Sequence, residues 1–299
     1  MRLRILTLNL WNVRGDVDRR MAVALTAVRE LRPDVVALQE AIERPLPATG
    51  GLGQARAFAE TLGGEVRFAV AAPDLPAGPM GNAIVSRLRL GEPRVLKLPA
   101  PEGDSRVALA VDVETPEGTF NCISTHLSWE LDAAPVREEQ VLALDAFARE
   151  HRRELPSVMA GDFNAPPDSQ AIRFLTGRAS LGGRGTYWRD AWALLHPHEP
   201  GYTWAARNPS VPLYVERDRR IDYVFVGPMG RDRRGAIVDA RVGLDTPGPG
   251  PGPGYDGGQG GGAAGDGIYA SDHFAVLVEI DLAPRPEPGT GPRHDATTR

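Results

Sequence analysis

Between positions 157 and 164 the chain reads Ser157-Val158-Met159-Ala160-Gly161-Asp162-Phe163-Asn164, and Pro166 and Pro167 follow after one more residue. The apolar run predicts a short strand that stops at Gly161. Period-2 geometry then places Asp162 and Asn164 on one side and Phe163 on the other. The two prolines forbid continuation. A carboxylate beside a carboxamide offers hard acceptors and an N–H donor, a set suited to holding a hydrated divalent cation and a phosphate oxygen together. A turn rich in Asp and Asn would leave the same letters, so the rest of the chain has to decide between them.

Towards the N-terminus the pattern is regular. Residues 1–9 alternate polar and apolar, which predicts a first strand ending at Asn9 and argues against a signal peptide. Met21, Ala24, Leu25, Val28 and Leu31 recur at helical spacing up to Pro33, and 34–39 is a strand that delivers Glu40 at its end. A helix over 53–62, strands over 66–71 and 82–86, a Pro/Gly loop between those strands and an edge strand over 95–98 follow. Residues 106–114 and 119–125 form a hairpin through Pro116-Glu117-Gly118, and its second arm terminates in His126. A long helix over 135–150 leads back to the opening stretch.

Beyond it, 168–175 predicts a helix, 178–220 reads as irregular, and 221–226 is a strand with Asp222 at its start. Residues 236–244 and 274–280 are strands. Between them, 246–267 is so rich in Gly and Pro that a flexible loop is expected, and 284–299 reads as a disordered tail. Hairpins and strand-helix-strand units together predict a mixed α/β fold, not a purely parallel one. One domain over 1–283 accounts for the chain.

The chain has 299 residues, a formal net charge of -5 and a pI near 5.7, which speaks against a strongly cationic surface for sequence-independent DNA binding. Lys97 is the only lysine, so 33 of the 34 basic residues are arginine, a bias read as compositional. Cys122 is the single cysteine, which excludes an intrachain disulfide, and its apolar strand assigns it to the core. No stretch is long enough to span a membrane. A cytoplasmic monomer is the expectation.

Seven short segments carry a resemblance. They are Leu6-Thr7-Leu8-Asn9, Val36-Ala37-Leu38-Gln39-Glu40, Gly81-Asn82-Ala83-Ile84-Val85-Ser86-Arg87, Ser124-Thr125-His126-Leu127, Ala160-Gly161-Asp162-Phe163-Asn164, Arg220-Ile221-Asp222-Tyr223 and Ser271-Asp272-His273. In this order they resemble the endonuclease/exonuclease/phosphatase superfamily, the metal-dependent group that includes DNase I, abasic-site endonucleases, inositol polyphosphate 5-phosphatases and neutral sphingomyelinases. Each segment alone is weak; seven in order over nearly the whole chain are not.

The resemblance implies a DNase I-like four-layer α/β sandwich, two stacked mixed β-sheets flanked by helices, with one site at their shared rim. It implies Mg²⁺, with Mn²⁺ as a substitute, held by Glu40 with Asn9 and with Asp272 as a further acid; whether one ion or two are used stays open. His273 resembles the base that takes a proton from water, with Asp222 orienting its ring. Asp162 would position the water and Asn164 a non-bridging oxygen, while His126 would protonate or hydrogen-bond the scissile phosphate. His126 also sets the chain apart from the abasic-site endonucleases. Asn82 frames the site, and Arg106 is either a phosphate clamp or half of a salt bridge. Trp129, Trp192 and Trp204 are expected to pack.

The expected activity is metal-dependent hydrolysis of a phosphodiester or phosphomonoester, with a small molecule or lipid headgroup favoured as substrate. A nuclease acting on DNA or RNA is the alternative, and a catalytically silent binding module the reading from another class.

Overall fold

The computed structural model describes residues 1–212, 217–230, 232–248 and 267–284. The chain opens with β1 (Arg2–Asn9), α1 (Val17–Leu31), β2 (Val35–Ile42), α2 (Gln54–Leu62), β3 (Glu65–Ala72) and β4 (Met80–Ser86). It continues with β5 (Arg94–Leu98), β6 (Arg106–Thr115), β7 (Gly118–His126), α3 (Ala134–Glu150), β8 (Val158–Asp162) and α4 (Gln170–Leu175). The last elements are β9 (Arg189–Asp190), α5 (Ala191–Leu195), β10 (Asp222–Val226), β11 (Ala236–Gly243) and β12 (Ala275–Asp281).

These strands make two six-stranded sheets, in the orders β11-β12-β1-β2-β4-β3 and β5-β6-β7-β8-β10-β9. Each sheet has one parallel pair, β1 with β2 and β7 with β8, among antiparallel neighbours. The parallel pairs are the two that need a helical crossover, and α1 and α3 supply it. α1 starts where the Asp16 side chain accepts the Arg19 N–H, and it ends at Arg32, in the left-handed region, just before Pro33.

The layers follow from period-2 alternation. On β1, Leu3 and Ile5 enter the core between the sheets, whereas Leu6 and Leu8 face α1 and α2 with Met21, Val28 and Phe58. On β7, Phe120 and Cys122 share the inter-sheet core; on β8 and β10, Val158, Ala160, Val224 and Val226 do. Met159, Phe163, Tyr223 and Phe225 lie on the far face under α3 and α4, with edge-to-face and stacked ring contacts. Four layers result: helices, sheet, sheet, helices. Burying each large apolar side chain in them contributes about 1.5–3 kcal/mol.

The inter-sheet faces change character along their length. Leu3, Ile5, Thr7 and Asn9 share one face of β1; Phe120, Cys122, Ser124 and His126 share one face of β7; Val158, Ala160 and Asp162 share one face of β8. Each starts apolar and ends polar at the same rim. A seam of hydrogen bonds marks the change: Thr7 Oγ1 donates to Gln39 Oε1 at 3.2 Å, Gln39 Nε2 to Ser124 Oγ at 3.2 Å, and Ser124 Oγ to the Leu38 carbonyl at 3.2 Å. The seam locks the two sheets together directly beneath the polar ends.

Differences from the sequence reading are local. The 178–220 stretch holds β9 and α5, elements too short to leave a periodic signal, and Trp204 closes a small cluster with Val211 and Ile221. Trp129 does not pack: it is 61% exposed. Most of the expected 246–267 loop and the 285–299 part of the expected tail lie outside the described residues. The loop's flanks are tied together, since Gly248 and Ile268 exchange backbone hydrogen bonds of 2.9 and 3.2 Å.

Candidate active site

Strand register assembles the first half of the site. Asp162 is directly opposite His126 on β7 and directly opposite Asp222 on β10, so three functional side chains sit abreast on neighbouring strand ends. β7 and β8 can approach this closely because position 161 lacks a side chain. A Cβ on Gly161, whose φ is +152°, would stand 2.0 Å from the Thr125 carbonyl oxygen.

Sheet one supplies the other half through an irregularity. β2 carries one residue more than β4 between the pairs Leu38↔Ala83 and Ala41↔Gly81, a β-bulge that holds Glu40 at φ 53°. Without the bulge, Glu40 would follow Val36 and Leu38 onto the helix-covered face. With it, Glu40 Oε1 accepts from Asn9 Nδ2 at 3.3 Å and Oε2 from Asn12 Nδ2 at 2.8 Å. Trp11, Asn12 and Asn164 also hold positive φ, at 54, 37 and 47°. Such conformations cost about 1–3 kcal/mol each and concentrate where surrounding structure enforces a functional geometry.

Asp162 joins the halves. Its Oδ2 accepts from Asn9 Nδ2 at 3.0 Å and lies 3.4 Å from His126 Nε2 and 3.7 Å from His273 Nε2. Its Oδ1 accepts the Asn164 backbone N–H at 2.9 Å. His273 Nδ1 is paired with Asp222 Oδ2 at 2.9 Å. Asp222 is itself buried, and its Oδ1 has no hydrogen-bond partner. Asp162, Asp222 and His273 thus form a group whose ligand atoms lie within 4.8 Å of one another, able to coordinate a metal ion.

The two histidines differ in charge. Burial pushes the His126 imidazole down to about 3, against the opposing pull of Asp162, so it is neutral near pH 7. Burial also disfavours charge on His273, but the carboxylates of Asp222, Asp162 and Asp272 override it and raise that ring well above the ordinary histidine value. Asp272 is pushed up to about 6, first by burial, with Glu40 as a further cause that His273 and Arg20 oppose.

The donor set around Glu40 suits a hard divalent cation. Glu40 and Asp272 are both oxygen donors, and the Glu40 charge helps to raise Asp272, so a cation held by the two carboxylates would favour the charged form of Asp272. Asn9 faces the same point with Nδ2, while its Oδ1 accepts the Trp11 N–H at 2.9 Å, so it reaches Glu40 as a hydrogen-bond donor.

Of the remaining expected residues, Asn82 and Arg106 line one cleft of about 290 Å³, with Glu40, Asp74, Asp104 and His126 among its other walls. Both alternatives for Arg106 are realised in part. Its Nε is held by Asp104 at 2.8 and 3.0 Å, which leaves the two terminal nitrogens of the guanidinium for the cleft. Asn82 Nδ2 donates to the Val107 carbonyl at 2.8 Å and Asn164 Nδ2 to the Leu127 carbonyl at 3.0 Å, so each has its amide oxygen left to offer.

Two residues escaped the sequence reading. Asn12 lies in the turn after β1, and nothing in the local sequence marks it as the second partner of Glu40. Thr203, fully buried, accepts the backbone N–H groups of Ile221 and Asp222 at 3.1 Å each through Oγ1, and its carbonyl takes the Phe274 N–H at 2.6 Å. It thereby ties the start of β10 to the segment carrying His273. Its neighbourhood has no periodicity, so sequence offered no signal.

A profile described as Endonuclease/Exonuclease/phosphatase family matches residues 10–273. Nocturnin of Drosophila melanogaster is 25% identical over 316 residues, covering 91% of this chain and 43% of that protein, so the chain spans less than half the length of this curated relative. Among solved structures, an endonuclease/exonuclease/phosphatase from Beutenbergia cavernae DSM 12333 matches with a TM-score of 0.68 at 27% identity, over 94% of this chain and 72% of that one. D. rerio TDP2 complexed with single strand DNA product matches with a TM-score of 0.70 at 18% identity, over 94% and 99% of the two chains.

Proposed function

Since this chain belongs to the endonuclease/exonuclease/phosphatase family, we propose that it hydrolyses a phosphate ester by in-line attack of water, with Mg²⁺ or Mn²⁺ as cofactor. The observation that carries the reading is the convergence, at one rim, of Asn9, Glu40 and His273, the last just before β12, from the sheet of β1 and β2 with His126, Asp162 and Asp222 from the other sheet. Glu40 and Asp272 would hold the cation, with Asn9 bonded to Glu40. When bound, the cation supplies charge stabilisation to the phosphoryl oxygens.

The protein's own groups do the rest. Asp222 fixes the His273 ring through Nδ1 and leaves Nε2 free to take a proton from water beside Asp162. Asp162 accepts from Asn9 and Asn164 and so stays in place as the water's second acceptor. His126, neutral at physiological pH, acts by hydrogen bonding to a phosphoryl oxygen and not as a charged acid. Arg106, with Nε committed to Asp104, presents its terminal nitrogens to a second phosphoryl oxygen.

A small phosphoester or a lipid headgroup fits the cleft better than a polyanion track. The cleft is small for a ligand site, and its lining sets Arg106 against Glu40, Asp74 and Asp104. Action on nucleic acid is the second reading, favoured by the similarity to a TDP2 structure that carries a DNA product. A panel of nucleic acid, phospholipid, sugar phosphate and nucleotide substrates with added Mg²⁺ separates the two. Plasmid nicking without release of phosphate or a phosphorylated headgroup reverses the order, and full turnover in His273→Ala ends the mechanism.

A further inference from the structure

Arg20 sits on the inner side of α1 and is 2% exposed. Arginine is almost never buried to that degree without partners, and here the partners are backbone carbonyls. Nη1 donates to Leu10 at 2.8 Å and Ala270 at 3.1 Å; Nη2 donates to Asn12 at 3.1 Å and Arg14 at 2.7 Å; Nε donates to Arg14 at 3.0 Å. The guanidinium also stands 5.0 Å from the centre of the Trp11 ring.

These carbonyls belong to two segments far apart in sequence, 10–14 and 270. Each segment supports one side of the cation site. The first carries Asn12, which holds Glu40 Oε2 at 2.8 Å, and it includes two residues, Trp11 and Asn12, in the left-handed region. The second ends two residues before Asp272. A planar fork of five N–H donors can serve both segments at once, whereas the three donors of an ammonium on a flexible stem cannot keep the same geometry.

We propose that Arg20 is a positioning residue for the cation, clamping the 10–14 loop to the 270 segment so that Glu40 and Asp272 are held at a fixed separation. The role rests on Glu40 and Asp272 being the ligands. It is tested apart from that reading by titrating Mn²⁺ into the intact chain and by amide hydrogen exchange of residues 10–14 in metal-free protein. Wild-type chain that neither binds Mn²⁺ nor hydrolyses any phosphoester overturns the assignment of the ligands; the Arg20 variants then have nothing to modulate.

Given binding by the wild type, Arg20→Lys is expected to raise the Mn²⁺ dissociation constant about tenfold or more and to speed exchange at 10–14. Phe174→Leu, a change in the α4 layer under the other sheet, in an apolar cluster that holds no residue of 10–14 or 270, should lower the melting temperature yet leave Mn²⁺ affinity unchanged. Asn12→Ala leaves the Arg20 guanidinium in place and removes the Nδ2 donor to Glu40, together with the Oδ1 acceptor of the Val13 N–H at 2.7 Å, so it should weaken Mn²⁺ binding in a folded protein even where Arg20→Lys proves too unstable to purify. If both variants fold, their effects should be less than additive, since both act on one link. Arg20→Lys with Mn²⁺ affinity and 10–14 exchange equal to wild type overturns the proposal. So does Asn12→Ala with unaltered Mn²⁺ affinity.

Discussion

Replacing Asp222 by Asn removes one charge from the pair on which the proposed chemistry turns and keeps nearly the same shape. Asp222 Oδ2 lies 2.9 Å from His273 Nδ1, and both residues are buried. At that separation, with an effective dielectric constant of about 20, the attraction between carboxylate and imidazolium is about 6 kcal/mol. That is an upper bound, because both charges are spread over atoms farther apart than this contact, and Asp162 and Asp272 keep part of the ring's raised proton affinity. The amide oxygen can still accept the Nδ1 hydrogen bond, so the ring should stay oriented while its proton affinity falls. A positioned base contributes about 10²–10⁴-fold to rate, or about 3–5 kcal/mol, and Asp222→Asn should lose much of it. The sign of the pH effect is fixed as well. His273 serves as a base only when neutral, so activity rises with pH through its raised pKa, and lowering that pKa moves the acid limb of the kcat profile to lower pH. Steady-state hydrolysis from pH 5 to 9 at saturating Mg²⁺, with the melting temperature measured alongside, reads both effects. A folded Asp222→Asn enzyme with wild-type kcat and an unmoved acid limb would refute the dyad.

Three further outcomes are expected. Chelation should silence hydrolysis, Mg²⁺ or Mn²⁺ should restore it, and Glu40→Gln should raise the Mg²⁺ concentration needed for half-maximal rate; activity that persists in chelator removes the cation from the mechanism. His126 is held near 3 in the folded chain against about 6.5 when unfolded, so only the unfolded chain takes up this proton between those values. Its contribution to stability is intact above about pH 6.5 and falls as the pH drops, by up to about 3 kcal/mol at pH 4.5. Urea unfolding at pH 7 and pH 4.5 should therefore show a smaller acid loss in His126→Gln, and equal losses would sink the assignment. Thr203→Val leaves the N–H groups of Ile221 and Asp222 buried without an acceptor, at a cost of about 2–4 kcal/mol, and should lower kcat; Thr203→Ser should recover both, and recovery of neither would deny the hydroxyl its role.

What sequence could show, it showed through alternation. Leu3, Ile5, Thr7 and Asn9, or Val158, Ala160 and Asp162, are residues of one face read in order, and a face that passes from apolar to polar points to where the inter-sheet core meets the rim. Once register is added, His126, Asp162 and Asp222 fall side by side with no further adjustment. Expected site residues therefore cluster wherever a regular strand delivers them.

What sequence could not show depends on departures from regularity. Strict alternation from Val36 and Leu38 sends Glu40 to the wrong face; only an inserted residue, visible as a register shift against β4, brings it to the rim. Arg20 acts through backbone carbonyls, which have no letter of their own, and Asn12 reaches Glu40 only because its loop turns through positive φ. Thr203 reaches Asp222 across a stretch without periodicity. The regular strands thus determine which groups meet, while irregular backbone fixes how far apart they stand, and a cation-assisted hydrolysis is sensitive to that distance. Substitutions at Asn12, Arg20 and Thr203 should therefore cost more activity than their distance from the phosphoryl group suggests, because a misplaced ligand or base loses rate steeply with displacement.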